Sequence, residues 1–167
     1  VDSMNTGATD NTTDTIKTLK LGITSDATVA VGGLTVLTSI DGAASTGGLN
    51  LTGVLATTLN ITTGSGADTV TFNAATDSTN AKKLTSSLST GAGNDKITVF
   101  VTGDGTSTVN AGAGDDSVTM KSALGTAVVD GGDGKDTLAF DATLNQLSFS
   151  TGGYNSLKAN ALNFEVL

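Results

Sequence analysis

The stretch Gly131-Gly132-Asp133-Gly134-Lys135-Asp136-Thr137-Leu138 is the most complete copy of a pattern that occurs four times in this chain of 167 residues. All copies share Gly-x-Gly-x-Asp-x-(Val/Ile/Leu), and only this copy has a further glycine ahead of it. The other copies are Gly64-Ser65-Gly66-Ala67-Asp68-Thr69-Val70, Gly91-Ala92-Gly93-Asn94-Asp95-Lys96-Ile97 and Gly112-Ala113-Gly114-Asp115-Asp116-Ser117-Val118. A single copy is a common turn composition, whereas four copies indicate a repeated structural unit.

Apolar residues stand at fixed distances from the aspartate of each copy. Two residues after it come Val70, Ile97, Val118 and Leu138, and two further on come Phe72, Val99, Met120 and Phe140. Ahead of the glycines stand Ile61, Leu88, Val109 and Val129. Polar or small residues alternate with these, which is the period of two of half-buried strands. The repetition in register predicts an all-β fold, a parallel β-solenoid whose apolar columns stack inside.

The residue types of the repeat suit a cation held at a corner of the chain. Calcium takes about six to eight oxygen ligands, and glycine adopts the positive φ values that turn successive carbonyl groups toward one point. The aspartate adds a charged oxygen, and the apolar residue two positions later restarts a strand. The sequence therefore predicts calcium loops, with plain Gly-Asp turns between strands as the alternative.

The spacing of the copies places these loops along one edge of the solenoid. Successive aspartates are 27, 21 and 20 residues apart, whereas a roll with loops on both edges would repeat the motif about every nine residues. Midway between two copies, Gly103-Asp104-Gly105-Thr106-Ser107 has serine where the aspartate is required. Lys82-Lys83, in the longest interval, indicates a loop or a short helical insertion.

Composition excludes several classes of function. The chain has no histidine and no cysteine, so it offers no Ser-His dyad, no thiolate and no histidine-bound zinc, and we expect no enzymatic activity. A net charge of −8, no arginine and 4% aromatic residues speak against nucleic acid as a partner. No run of eighteen apolar residues occurs, so no transmembrane segment is expected.

The periodic signal divides the chain into four parts. Residues 1–15 are rich in threonine and asparagine and are expected to form an irregular leader. Residues 16–60 alternate as coils without the calcium motif, residues 61–150 form the calcium-binding roll, and residues 151–167 form a terminal cap segment.

Three features resemble a known family. The four copies from Gly64 to Leu138 resemble the RTX (repeats-in-toxin) proteins, calcium-binding parallel β-rolls exported by Gram-negative type I secretion. The segment from Leu37 to Leu49 is similar to a Leu-x-x-Ile-Asp-Ala-Ser-x-x-Thr-Gly-Gly-Leu segment of RTX-type surface-layer (S-layer) and large surface proteins, although Gly42 stands where alanine is usual. The closing Leu162-Asn163-Phe164-Glu165-Val166-Leu167 is similar to the Asn-Phe-Glu-(Thr/Val)-Leu segment that often follows a final RTX coil.

The resemblance implies a set of metal ligands. The carboxylates of Asp68, Asp95, Asp116 and Asp136 are expected to bind Ca2+ between adjacent coils. Most remaining ligands are expected to be the carbonyl oxygens of Gly64, Gly66, Gly91, Gly93, Gly112, Gly114, Gly132 and Gly134. Asp115 and Asp133 either bind as well or only add negative potential at this edge.

The resemblance also implies a structural role outside the cell. We expect a secreted component of a bacterial S-layer that self-associates into a lattice and is anchored to the cell surface through another domain. An RTX adhesin stalk, or the calcium-binding secretion module of a type I secreted protein, is the alternative.

Overall fold

The computed structural model describes residues 2–5, 16–32, 34, 36–53, 55–56, 59–75, 85–102, 106–122, 124, 127–141 and 159–165. In these residues the chain is all-β, as predicted. Its strands form two parallel sheets that stack as a β-solenoid of about five turns. Strands of the two sheets largely alternate along the chain, so that each coil contributes to both sheets.

The eight strands of one sheet are β1 (Asp2–Asn5), β3 (Ala27–Ala30), β5 (Leu49–Thr52), β6 (Leu55–Ala56), β8 (Thr69–Ala75), β10 (Lys96–Thr102), β12 (Ser117–Met120) and β14 (Thr137–Phe140). The seven strands of the other are β2 (Thr18–Lys20), β4 (Ser39–Asp41), β7 (Asn60–Gly64), β9 (Thr85–Gly91), β11 (Thr106–Ala113), β13 (Val128–Asp133) and β15 (Ala161–Leu162). Every strand pairs in parallel with its equivalent in the neighbouring coil.

The register between coils follows the apolar columns. Val70 pairs with Ile97, Ile97 with Val118, and Val118 with Leu138. A slip of one residue would turn all of these side chains to the outer face of the sheet, so burial of one face specifies the pairing.

The predicted columns form the core. Eleven of their twelve residues are buried, with Phe72 the largest of those that are fully buried. Phe140, the last member of its column, is half-buried and packs against the core. The stacking of like residues in adjacent coils fills the narrow interior between the sheets.

The predicted leader differs from the structure, and two predicted loop segments are not described by it. The predicted irregular leader contains β1, whose residues pair in parallel with β3. The sequence of β1 has no apolar alternation, so the periodicity did not indicate this strand. Lys82-Lys83 and Gly103-Asp104-Gly105 lie outside the described residues. Among the described residues, no helix has the length and apolar character needed to span a membrane.

Candidate metal-binding edge

The four motif copies form loops that stack along one edge of the solenoid, called here the loop edge. The first loop is residues 64–68, the second 91–95, the third 112–116 and the fourth 132–136. Each loop connects a strand of one sheet to a strand of the other, from β7 to β8 in the first and from β13 to β14 in the fourth.

Glycine is required where each loop begins. The φ values are 127°, 98°, 107° and 98° at Gly64, Gly91, Gly112 and Gly132, and residues other than glycine rarely adopt such values. Close stacking adds a second constraint, because a Cβ atom on Gly112 would overlap the carbonyl oxygen of Gly91. A Cβ atom on Gly91 would overlap that of Gly64 in the same way. The glycine carbonyl oxygens of the first three loops therefore lie against the loop of the next coil.

The four motif aspartates form a buried column, called here the aspartate column: Asp68, Asp95, Asp116 and Asp136. Each is at most 2% exposed. One carboxylate oxygen of each aspartate, Oδ1, accepts a hydrogen bond from a backbone N–H of the preceding coil. The donors are Leu49, Asp68, Asp95 and Asp116, at 2.7 Å for the first and 2.8 Å for the others. Every carboxylate therefore lies in the gap between its own coil and the one before it.

The second carboxylate oxygen distinguishes the four aspartates. Oδ2 of Asp95, of Asp116 and of Asp136 is buried and has no hydrogen-bond partner. A buried acceptor without a partner costs about 1–3 kcal/mol, and more when it is charged. Asp68 differs, because its Oδ2 accepts a hydrogen bond from the hydroxyl of Thr63.

Burial sets the protonation behaviour of the column. It raises the pKa of Asp95 to about 6, and the charges of Asp68 and Asp116 add to this rise. Burial likewise raises the pKa of Asp116 to about 6, with further contributions from Asp136 and Asp115. For Asp68, burial raises the pKa against the opposing hydrogen bonds of Thr63 and Leu49. The column thus holds negative charge where solvation is poor, a situation that a bound cation would relieve.

The column ends differently on its two sides. Before Asp68, the equivalent place in the coil is held by the buried Leu49, whose neighbour Asn50 pairs with Thr69. Beyond Asp136, Glu165 takes over the pattern, because its Oε2 accepts the N–H of Asp136 at 2.6 Å. The closing segment is tied down further by Asn163, whose side-chain amide donates to Asp130 at 2.7 Å.

The two further acidic candidates, Asp115 and Asp133, lie outside the buried column and are exposed. Asp115 belongs to a second row at the loop edge, in which the side chain of one coil accepts the N–H of the next coil. Asn94 Oδ1 accepts a hydrogen bond from the backbone N–H of Asp115, and Asp115 Oδ1 accepts one from the backbone N–H of Lys135, both at 3.0 Å. Asp133 contributes its backbone oxygen, which accepts the N–H of Gly114 at 2.8 Å.

The loop edge offers oxygen ligands distributed between coils. Among the described residues, no group of three or more acidic side chains surrounds a single point. Between successive motif loops, glycine carbonyl oxygens of one coil lie against the glycines of the next, and the aspartate of the later coil has one unpartnered carboxylate oxygen. Oxygen donors of these two kinds are the ligands that a hard cation such as calcium prefers, so the residues present fit such an ion.

Two contributors were not foreseen from the sequence. Thr63 stands five residues before Asp68, and nothing in the motif marks its hydroxyl as a partner. Glu165 is the only glutamate of the chain, and this could have marked it as a candidate. Its contact with the N–H of Asp136, however, depends on how the closing segment packs.

No protein-family model, no curated protein and no solved structure matches this chain. The class that the fold defines is therefore the parallel β-solenoid, and this architecture is compatible with an RTX β-roll.

Proposed function

We propose that this chain is a calcium-stabilised structural solenoid that serves as a component of a bacterial S-layer. The observation that carries the calcium part is the set of three buried carboxylate oxygens without a partner, one on each of Asp95, Asp116 and Asp136. Such atoms are rare in folded proteins, and a bound ion is one of the few explanations for them.

The chemistry of the donors favours calcium over other ions. The described side chains and backbone groups at the loop edge offer oxygen donors, mainly carboxylate and carbonyl oxygens, and the chain has neither histidine nor cysteine to supply nitrogen or sulfur. Calcium accepts irregular oxygen sites with many ligands, whereas magnesium demands a smaller and nearly ideal octahedron. When bound, calcium would neutralise the aspartate column and hold adjacent coils together.

The proposed setting is the cell surface, with self-association into a lattice and anchoring through another domain. The segment Leu37–Leu49, which resembles a segment of S-layer proteins, contributes β4 and packs Ile40 and Leu49 into the core. It thus forms the coil directly below the first loop, as part of the solenoid. The net charge of −8 opposes association of free chains, and calcium would remove part of that repulsion.

Two measurements on the full-length protein test this proposal together. Thermal unfolding followed by circular dichroism should show a much higher melting temperature in millimolar calcium than in excess EGTA, with magnesium a poor substitute. Electron microscopy should show ordered sheets in calcium and separate subunits after chelation. Equal melting temperatures with and without EGTA would overturn the calcium role. Calcium-dependent folding without sheets would instead favour an adhesin stalk or a secretion module.

A further inference from the structure

The four motif copies are alike in sequence, but the structure separates the first from the other three. The difference begins at the carboxylate. Thr63 Oγ1 has two acceptors within hydrogen-bonding distance, Asp68 Oδ2 and the Thr90 carbonyl oxygen, the latter at 2.9 Å. Because a hydroxyl has one proton, and a charged acceptor makes the stronger hydrogen bond, this proton serves Asp68.

The equivalent residues in the later coils do not serve their aspartates in this way. Thr90 stands five residues before Asp95, and a hydrogen bond from its side chain would oppose the rise in the pKa of Asp95. By distance and angle, however, the Thr90 hydroxyl donates to the carbonyl oxygen of Ala111 at 2.7 Å, and Oδ2 of Asp95 has no partner. The corresponding residues before Asp116 and Asp136 are Ala111 and Gly131, which have no hydroxyl. The three later carboxylates therefore keep one unpartnered oxygen each.

The gap that holds the Asp68 carboxylate also differs from the later gaps in the residues that border it. The gaps that hold the three later carboxylates each lie between two members of the aspartate column. The Asp68 gap has the buried side chain of Leu49 on its other side. Ser45 stands where the later coils have a positive-φ glycine, since its carbonyl oxygen lies against Gly64. The residue across this gap is therefore apolar, whereas across each later gap it is another aspartate. The surroundings of Asp68 are less negative, and they attract a divalent cation less.

Backbone conformation provides a further distinction. The second glycine of the later loops has a positive φ, at 125° in Gly93, 135° in Gly114 and 139° in Gly134. Gly66, the second glycine of the first loop, lies outside that range. The turn at the first loop is therefore built differently from the three that follow.

We infer that Asp68 is not a calcium ligand and that the loop edge holds three cations, one at each unpartnered oxygen of Asp95, Asp116 and Asp136. This inference rests on the proposed calcium function and departs from the family resemblance, which implies four equivalent aspartates. Thr63 takes the place of the cation at Asp68. The first loop then joins the metal-free coils to the metal-bound ones.

Calcium stoichiometry tests this assignment. We would measure bound calcium by isothermal titration and equilibrium dialysis for the wild type and for Asp68→Asn, Asp95→Asn, Asp116→Asn and Asp136→Asn. Asparagine keeps the oxygen that accepts the N–H of the preceding coil. The wild type and Asp68→Asn should bind three ions per chain, and each other variant should bind fewer. Equal loss in Asp68→Asn and Asp116→Asn, or four ions in the wild type, would overturn the assignment while leaving the proposed function intact. No binding by the wild type would overturn both.

A second pair of variants tests the role of Thr63 through stability. Thr63→Val removes the donor to Asp68, and Thr63→Ser retains it. Because no ion substitutes at Asp68, Thr63→Val should lower the melting temperature by a similar amount with and without calcium, and Thr63→Ser should remain close to the wild type. A Thr63→Val variant that is destabilised only in the absence of calcium would show that calcium reaches Asp68, against the inference.

Discussion

Replacing Asp116 with asparagine should change stability in opposite directions depending on calcium. Asp116 is 2% exposed and lies between two other members of the aspartate column. Its Oδ1 accepts the N–H of Asp95 at 2.8 Å, and its Oδ2 has no partner. Asparagine preserves the oxygen that serves Asp95 and removes the buried negative charge together with the proposed ligand.

The expected magnitudes follow from these contacts. Without calcium, a buried charged acceptor without a partner costs more free energy than a neutral amide in the same place. Asp116→Asn should therefore raise the free energy of unfolding by about 1–2 kcal/mol. In a chain of this length 1 kcal/mol corresponds to roughly 2–4 °C, so the melting temperature should rise by about 2–8 °C. With free calcium about a thousandfold above its dissociation constant, one lost ion removes about 4 kcal/mol. The net change is then a fall of about 4–12 °C.

Thermal unfolding by circular dichroism, in chelated buffer and in millimolar calcium, measures both shifts. Asp41→Asn is the matched control, because it removes the same charge from the outward face of β4. The only described ion pair of Asp41 is an exposed one with Lys20 at 3.9 Å, and such pairs contribute little. The control should shift by less than about 2 °C in either buffer. If Asp116→Asn shifts the melting temperature in the same direction in both buffers, calcium is not bound at Asp116.

Three further outcomes follow from the same structure. Burial raises the pKa of Asp95 and Asp116 to about 6 from an ordinary value of 3.8. Protonation of these groups therefore favours the folded state, and calcium-free protein should lose stability as pH rises through 6. Urea melts of metal-free protein that show greater stability at pH 7 than at pH 5 would contradict this. Gly112→Ala should destabilise the protein by more than about 3 kcal/mol in chemical denaturation, because it combines a positive φ with overlap of a neighbouring carbonyl oxygen. The control Gly22→Ala, which has no atom within 4 Å of the added Cβ, should change stability by no more than about 1 kcal/mol. Phe72→Ala should cost about 3–5 kcal/mol in the same assay, because the ring is fully buried, without reducing the calcium bound at saturation.

Much of the fold was predictable because one face of each strand is buried. The alternation around Val70, Ile97 and Val118 specifies both the strands and their register, and the structure confirms all three as core residues. The loops were equally accessible, since Gly-x-Gly-x-Asp combines positive φ with a short acidic side chain. β1 was not predicted, because its pairing rests on backbone hydrogen bonds and not on an apolar pattern.

The arrangement of the loop edge was less accessible to sequence reasoning. Asp68 and Asp95 have the same motif around them, yet only Asp68 has a donor for its second oxygen, and the direction of a hydroxyl is decided in three dimensions. Glu165 follows Ala161 by four residues, whereas Asp136 follows its register partner Val129 by seven. A longer side chain therefore reaches the column from a shorter loop, which spacing alone does not reveal.

Occupation of the loop edge by calcium can be tested most directly by crystallography. The crystals would be grown in millimolar calcium, with diffraction recorded at a wavelength where calcium scatters anomalously. We expect three anomalous peaks in a row, beside the Oδ2 atoms of Asp95, Asp116 and Asp136, spaced by about 4.8 Å as adjacent strands are, and no peak beside Asp68 Oδ2. Absence of anomalous density along this edge, in crystals that contain the folded solenoid, would contradict this expectation.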